Sequence, residues 1–313
     1  MAIKVGVIGV GYLGQYHAEK YAHLPEAELV GVMDINLTRA KEVAGRFHCE
    51  AFSELPPLLA KVEAISVVVP TQAHYQVAKE CLVRGKHVLL EKPMTTTLTE
   101  ADELIELAGK QGVILQVGHL ERFNPAVAAL FPHLQNPMFI EAHRLGLSLE
   151  RGTDVDVILD LMIHDIDIIL AAISAKVSEI RAVGVPVVSG NVDIANVRLE
   201  FENGCVANLT ASRISGKKMR KIRFFQKDAY FSLDYAQREL SIVRREKRGL
   251  LPFSHQLLRF KEDDPLRAEI ACFLKAIKEK KTPVVSGEDG RRALKIALTI
   301  NQEIKKRLGK ILS

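Results

Sequence analysis

Three groups of residues in this sequence have types and spacings that could do chemistry. Lys92 stands between Glu91 and Pro93, directly after the apolar run Lys86–Leu90. Most lysines are solvated surface charges, but one held beside a ligand crevice can hydrogen-bond a hydroxyl and favour its alkoxide. Pro93 fixes the local turn, with a cis bond from Lys92 as one expectation. Asp160, His164 and Asp167 recur at i, i+4 and i+7 in a segment that is otherwise apolar, which stacks them on one helix face. Unpaired ionisable groups are costly to bury, so this stripe lines a cleft or belongs to a paired network. In the first case His164 is a general base or acid, and Asp160 orients it or binds a substrate hydroxyl. In the second it is a plain structural His–Asp pair. No metal site is expected, because one histidine among scattered carboxylates is poor ligand spacing.

The third group is Gly9-Val10-Gly11-Tyr12-Leu13-Gly14, with Asp34 twenty residues beyond Gly14. It follows the apolar run Ile3–Ile8 and precedes a helical stretch, Tyr12–Ala22. Gly9 permits the tight turn, Gly11 lets the backbone approach a pyrophosphate, and Gly14 lets helix and strand pack closely. The helix N-terminus offers unpaired N–H groups and partial positive charge to phosphates. Asp34 ends the next strand, Glu28–Met33, where it can accept hydrogen bonds from a ribose. A carboxylate there repels a 2′-phosphate, and Ile35 and Asn36 bring no positive charge; only Arg39, a turn later, does. NAD is therefore expected ahead of NADP.

These residues need elements to hold them. Alternation of short apolar strands (Ile3–Ile8, Glu28–Met33, Ala64–Val69, Lys86–Leu90, Val113–Gly118) with helices (Leu37–Phe47, a stretch through Val83 ended by Gly85, Thr99–Gln111) predicts a doubly wound parallel sheet. Pro56-Pro57 opens a helix or connector between them. Ligands gather at the carboxyl ends of such strands, and Gly9–Gly14, Asp34, Pro70–His74, Glu91–Pro93 and Gln116–His119 all fall there. Beyond residue 121 the pattern changes to consecutive strands: Ile140–Leu147, Ile180–Val188, Ala195–Glu200, Gly204–Ser212, Lys221–Phe225, Ala229–Asp234 and Glu239–Arg244. Turn signals stand at Asn203-Gly204 and Ser215-Gly216. A buried helix is expected over Asp154–Ile173, and two closing helices over Pro265–Lys280 and Gly287–Leu308. The reading is two domains, 1–121 and 122–313, with the closing helices free to pack back on the first.

Composition narrows the function. The chain has 313 residues, 48% hydrophobic and 26% charged, and a formal net charge of +5 that is spread out, so nucleic acid is a poor expectation. The longest apolar stretch, Val155–Ile173, is broken by Asp156, Asp160, His164, Asp165 and Asp167, so no membrane insertion is expected. The first strand is entered by residue 3, leaving no room for a signal peptide, and Cys49, Cys81, Cys205 and Cys272 are widely spaced. A cytoplasmic protein with incidental thiols is expected. Arg122, in Glu121-Arg122-Phe123-Asn124-Pro125, either positions a ligand or joins the domains. Arg213, Lys217, Lys218, Arg220, Lys221 and Arg223 either hold a diphosphate or form a solvated hairpin face, the latter being the commoner outcome.

Taken together, the glycine turn, Pro70–His74, Glu91-Lys92-Pro93, Arg122-Phe123-Asn124-Pro125 and Asp160-x-x-x-His164 resemble the Gfo/Idh/MocA oxidoreductases along essentially the whole chain. The resemblance implies a Rossmann domain joined to an open-faced, mostly antiparallel sheet domain, with substrate held between that sheet and the nicotinamide. It implies catalytic roles for Lys92, Asp160 and His164. Cofactor contacts would come from Gly9, Gly11, Tyr12, Leu13, Gly14, Asp34, Pro70, Thr71, His74, Glu91 and Lys92. Arg122, Asn124, Asp160, His164 and Arg213 would meet the substrate, and homodimers or homotetramers are common in the family. One departure is that Val155–Leu159 replaces the glycine-rich segment often found before the catalytic Asp. Val117–Pro125 and Leu159–Asp167 are similar to members that oxidise nucleotide sugars. The expected substrate is thus a UDP-N-acetylhexosamine such as UDP-N-acetylglucosamine, oxidised at carbon 3 for lipid A or other cell-surface glycans. The alternatives are a dehydrogenase or reductase of a free sugar or inositol, and a non-catalytic NAD-binding regulator.

Overall fold

The structure, a computed structural model, describes residues 1–147, 155–246, 252–260 and 264–312. The chain divides into two units: Met1–Leu120 with Asp264–Arg291, and Glu121–Asp263 with Arg292–Ser313. They are called unit 1 and unit 2 below.

Unit 1 is built on six parallel strands: β1 (Ile3–Ile8), β2 (Ala27–Met33), β3 (Glu50–Phe52), β4 (Ala64–Val67), β5 (His87–Glu91) and β6 (Leu115–Gly118). Their order in the sheet is β3-β2-β1-β4-β5-β6, so the winding reverses between β1 and β4, where such sheets open a crevice for ligands. Val5, Val7, Ile65, Val67, Val88 and Leu90 are buried, as strands covered on both faces require. Five helices follow the strands: α1 (Gly14–Ala22), α2 (Leu37–Phe47), α3 (Leu55–Leu59), α4 (Thr71–Val83) and α5 (Leu98–Gln111). Local chemistry fixes their ends. The Asn36 side chain caps α2, Thr97 and Glu100 form a reciprocal capping box on α5, and Gly112 closes α5 at a φ of +65°.

Within the same unit, α8 (Pro265–Glu279) joins the core that contains Val5, Ala18 and Tyr21 through Leu266, Ile270, Phe273 and Leu274. Among the differences from the sequence reading, α1 starts at Gly14, leaving Tyr12 and Leu13 in the turn, and β4 ends at Val67. The three-residue β3 was too short to show a period.

Unit 2 carries eight strands: β7 (Pro137–Leu147), β8 (Val177–Val185), β9 (Ile194–Phe201), β10 (Val206–Ser212), β11 (Ile214–Gln226), β12 (Ala229–Asp234), β13 (Glu239–Arg245) and β14 (Phe253–Arg259). The order is β14-β13-β12-β11-β7-β10-β9-β8, antiparallel throughout except for the parallel β7–β10 pair in its interior. Alternate residues such as Ile140, Ala142, Val197, Leu209 and Phe224 form one core with α6 (Pro125–Leu130), α7 (Ile163–Ala172) and Ala293, Ala297 and Ile300 of α9 (Gly287–Leu312).

Three expectations in unit 2 are revised. The helix predicted over Asp154–Ile173 has its first residue outside the described ones, and Ile158–Met162 is a π-helical turn, with α7 starting only at Ile163. Asp156 sets that start, its Oδ1 accepting from the amides of Ile158 and Leu159 at 2.9 Å each. Strand β8 stops at Val185 because the amides of Val187, Val188 and Ser189 turn onto Asp193 Oδ2 at 2.7–2.9 Å. The turn expected at Ser215-Gly216 lies inside β11, absorbed by a register shift between Ile214 and Met219.

Candidate active site

The glycine turn in unit 1 has three distinct geometries. Gly9 sits at φ +84°, and a Cβ there would lie 2.6 Å from the Val68 carbonyl oxygen. At Gly14 a Cβ would come within 1.8 Å of the Gly9 carbonyl, so only glycine lets α1 start against the turn. Around Gly11 a Cβ would meet nothing within 4 Å. That open space faces outward from a turn whose other two glycines are sterically obligatory. A cavity of about 600 Å³ lies beside it, lined by Gly9, Gly11, Asp34, Ile35, Val69 and Pro70 among others.

Asp34 is already oriented: Oδ2 accepts from Val10 N and Oδ1 from Asn36 N, each at 2.9 Å. Arg39 Nε donates to the Val10 carbonyl at 2.8 Å while Nη1 pairs with Glu42 at 2.8 Å. A cradle left open by Gly11, with an acid at the end of β2, fits a dinucleotide. The α1 N-terminus and turn amides would hold its phosphates, and Asp34 its adenosine ribose.

The next two strand ends are tied together by a histidine. His74, 1% exposed on α4, places Nδ1 2.8 Å from Pro93 O and Nε2 2.9 Å from Val69 O. Burial pushes this imidazole down from its ordinary value, against the pull of the two carbonyls towards the charged form. His74, expected to contact the cofactor, braces the Pro70 turn against the Lys92–Pro93 turn, whose peptide bond is cis. Thr71 opens α4, with Pro70 exposed just before it.

Lys92 is half-buried at the end of β5. Its neighbour Glu91 accepts from Lys92 N at 3.2 Å through Oε2 and meets His17 Nε2 at 3.2 Å through Oε1. Room for that carboxylate comes from Gly118 on β6, where a Cβ would lie 3.0 Å from it. Burial opposes its charge, but His17 and Lys92 outweigh that and hold Glu91 below its ordinary range.

In unit 2 the polar residues of the π turn and α7 divide into two sets. Asp165 and Asp167 are each 2% exposed. Arg144 grips Asp165 with Nε and Nη2 at 2.9 Å each, and its Nη1 reaches Glu121 at 2.9 Å. The guanidinium lies over the Tyr235 ring, 4.8 Å from its centroid. Burial works against this charge, and Asp165 and Glu121 overcome it, holding Arg144 well above its ordinary value. Arg122 grips Asp167 in the same two-pronged way at 2.7 and 3.0 Å.

Asp167 thus belongs to a paired network, the second of the two outcomes expected for the stripe: it anchors Arg122, which ties the segment after β6 to α7. Asp160, on the π turn, and His164, on the first turn of α7, stay half-buried. π-Helical turns occur mostly as single insertions in α-helices, frequently at functional sites.

Two other expected substrate residues have structural work. Asn124 caps α6 by accepting from Ala126 N at 3.1 Å and donates to Glu121 and the Tyr235 carbonyl. Arg213, 1% exposed, donates to the Val155 carbonyl at 2.7 Å, away from the solvent-facing Lys217, Lys218 and Arg220. Among the described residues no cluster of three or more His, Cys, Asp or Glu side chains is placed to hold a metal ion.

The sequence reading passed over His17 and Glu269. Both lie on buried helix faces, His17 beside Ala18 and Tyr21, Glu269 beside Leu266, Ile270 and Phe273. An ionisable residue in phase with an apolar stripe was the available signal.

Comparison with known proteins agrees with this geometry. The oxidoreductase-family model for an NAD-binding Rossmann fold matches residues 3–119, and the Gfo/Idh/MocA C-terminal domain model matches residues 147–230. The UDP-N-acetylglucosamine 3-dehydrogenase of Acidithiobacillus ferrooxidans is 40% identical over 303 residues, covering 95% of this chain and 96% of that protein. The chain belongs to the Gfo/Idh/MocA oxidoreductase family.

A solved structure of that A. ferrooxidans enzyme matches with a TM-score of 0.93 at 39% identity, over 98% of this chain and 99% of that one. Myo-inositol 2-dehydrogenase of Thermotoga maritima is 28% identical over 97% of each chain. Levoglucosan dehydrogenase in complex with NADH shares the fold, with a TM-score of 0.89 at 18% identity over 98% of each chain. This Gfo/Idh/MocA chain is an oxidoreductase with an N-terminal NAD-binding Rossmann domain. No helix among its described residues is long and apolar enough to cross a membrane.

Proposed function

We propose that the chain is an NAD-dependent nucleotide-sugar dehydrogenase. It oxidises the carbon-3 hydroxyl of a UDP-N-acetylhexosamine, such as UDP-N-acetylglucosamine, to the keto sugar, for lipid A or other cell-surface glycan synthesis. The observation that carries this reading is the 40% identity, over 95% of the chain, to a UDP-N-acetylglucosamine 3-dehydrogenase. Preference for NAD over NADP is supported by the Asp34 carboxylate at the ribose end and by Arg39, whose guanidinium is engaged with Val10 O and Glu42. NAD, held by the glycine turn and Asp34, would supply the acceptor for the hydride that leaves the carbon carrying the hydroxyl. Lys92 and His164 are assigned to the hydroxyl: Lys92 stabilises the oxygen as it gains charge, His164 accepts its proton, and Asp160 orients the imidazole. A cytoplasmic location accords with the four free thiols. A homodimer or homotetramer formed through the unit 2 sheet accords with the ring cluster Phe139, Phe225 and Tyr230 on its strands.

The test is NADH formation, followed by its absorbance, with a panel of UDP-sugars, free hexoses and inositols, and product analysis to locate the oxidised carbon. Turnover of UDP-N-acetylglucosamine with a 3-keto product is expected. Turnover of a free polyol alone would overturn the substrate assignment in favour of the inositol reading, which the T. maritima relative supports. Lys92→Met and His164→Asn should each lower kcat by about 10²–10⁴-fold with NAD affinity nearly intact. Loss of NAD binding instead would refute their roles.

A further inference from the structure

Helix α9 and strand β8, the last strand in the order of the unit 2 sheet, meet closely at one place and enclose a cavity at another. They meet at Gly184, where a Cβ would lie 2.9 Å from Ile304 Cδ1. Towards the start of β8 they enclose about 550 Å³, within the range of roughly 300–1,000 Å³ found for small-molecule sites. Every residue that lines this cavity belongs to unit 2.

The lining has two characters. Leu170, Ile173, Ile180 and Ile296, which pack on the unit 2 core, make an aliphatic floor. Lys176, just before β8, and Arg292 and Lys295 on α9 stand exposed around it. Among the described residues of the lining the only carboxylate is Glu303, and Lys306 already engages it at 2.8 Å. Beyond Glu303 the groove continues past Lys306, Arg307 and Lys310 of α9, which extends the positive field along it. Among the described lining residues none is aromatic, so nothing favours a flat ring over an aliphatic chain.

We propose that this cavity binds an aliphatic anion. Its chain lies on Leu170, Ile173, Ile180 and Ile296, and its carboxylate or phosphate head is held by Lys176, Arg292 and Lys295. The stems of the two lysines cover the chain while their ammonium groups reach the head. The cavity shares no residue with the candidate active site. It meets α7 at Leu170 and, just past the helix, at Ile173, about 9 Å or more along the axis from His164 at 1.5 Å per residue.

Calorimetry on the full-length protein with octanoate and octyl phosphate, below their micelle-forming concentrations, tests the proposal. At least one of them should bind, and the tighter one identifies the head group; binding of neither overturns the proposal. Butyrate, which has fewer methylenes to bury, and 1-octanol, which has no charge, should each bind about tenfold more weakly or worse. Equal binding of butyrate would remove the aliphatic floor from the account, equal binding of 1-octanol would remove the cations, and either result overturns it.

Two variants locate the site. The double reversal Lys176→Glu and Lys295→Glu should weaken binding about tenfold or more while leaving the melting temperature of the free protein unchanged. Thr299→Phe, which puts a ring into the cavity and alters no charge, should weaken it as well. Unchanged binding in either variant, or displacement of the probe by NAD or UDP-N-acetylglucosamine, would place the ligand elsewhere and overturn the proposal. Binding to anionic vesicles without binding of either soluble probe would do the same, in favour of a membrane surface.

Discussion

In unit 2 both buried carboxylates of α7 meet a guanidinium, Asp165 with Arg144 and Asp167 with Arg122, whereas in unit 1 the buried Glu269 meets none among the described residues. The contrast separates two uses of buried charge. Paired and satisfied charge fixes the approach of one element to another, here of β7 and the segment after β6 to α7. A buried carboxyl left short of partners, which burial pushes well above the ordinary carboxylate range, is a feature for which packing gives no reason. The same contrast holds among the glycines of one turn: Gly14 is required by the backbone it touches, Gly11 by nothing in the protein itself.

Several substitutions would break or sharpen this division. The largest effect is expected from Arg144→Met, which leaves Asp165 buried without its partner and should cost about 3–5 kcal/mol in denaturant unfolding. A loss below about 1 kcal/mol would mean that unit 2 tolerates an unpaired buried carboxylate. Next comes the glycine pair. Gly14→Ala forces a Cβ into the Gly9 carbonyl and should cost about 1–3 kcal/mol. Gly11→Ala should leave the melting temperature unchanged and weaken NAD binding, measured by calorimetry. Equal thermal losses in the two would remove the distinction between them.

A smaller, pH-dependent effect belongs to Asp193. Burial opposes its charge, but Ser189 and the amides of Val187 and Val188 hold its carboxyl far below the ordinary range. Its stabilisation is present above the unfolded-state value and is lost as pH falls towards the folded one. Asp193→Asn should therefore lower the melting temperature most at neutral pH, and the gap should shrink below about pH 4. Least of all, Lys61→Met breaks a pair with Glu50 in which both side chains are about half exposed, and should change stability by under about 0.5 kcal/mol.

What the sequence revealed was local. Gly9, Gly11, Gly14 and Asp34 were readable because each answers a backbone or ligand constraint within one strand–turn–helix unit. The α5 start, expected at Thr99, lies at Leu98, directly after the Thr97 cap. The π turn was not readable: a segment apolar on every side has no phase to betray an inserted residue, and Asp156 fixes its start through two backbone amides. The Arg122–Asp167 and Arg144–Asp165 pairs join residues 45 and 21 positions apart, so spacing alone could say that Asp167 lined a cleft or joined a paired network but not which, nor name its partner. Strand β14, with Ser254, His255 and Gln256 at the sheet edge, lacks the apolar alternation that marks inner strands.

The nucleotide-binding unit begins to leave the ribosome before unit 2 and is still unfinished when the strands of unit 2 have been made. Unit 1 takes α8 from residues 265–279, and Leu266, Ile270, Phe273 and Leu274 belong to the same core as Val5, Ala18 and Tyr21. Until that helix is synthesised, after all eight strands of unit 2, those apolar side chains have no cover from it. The nascent chain must carry an incomplete N-terminal fold through most of its translation, the interval in which partly exposed cores are open to aggregation and to chaperones. Placing Glu269 on that late-arriving helix also means that this acid is buried only when the helix closes the core, so that cofactor-domain maturation and burial of the acid are one event.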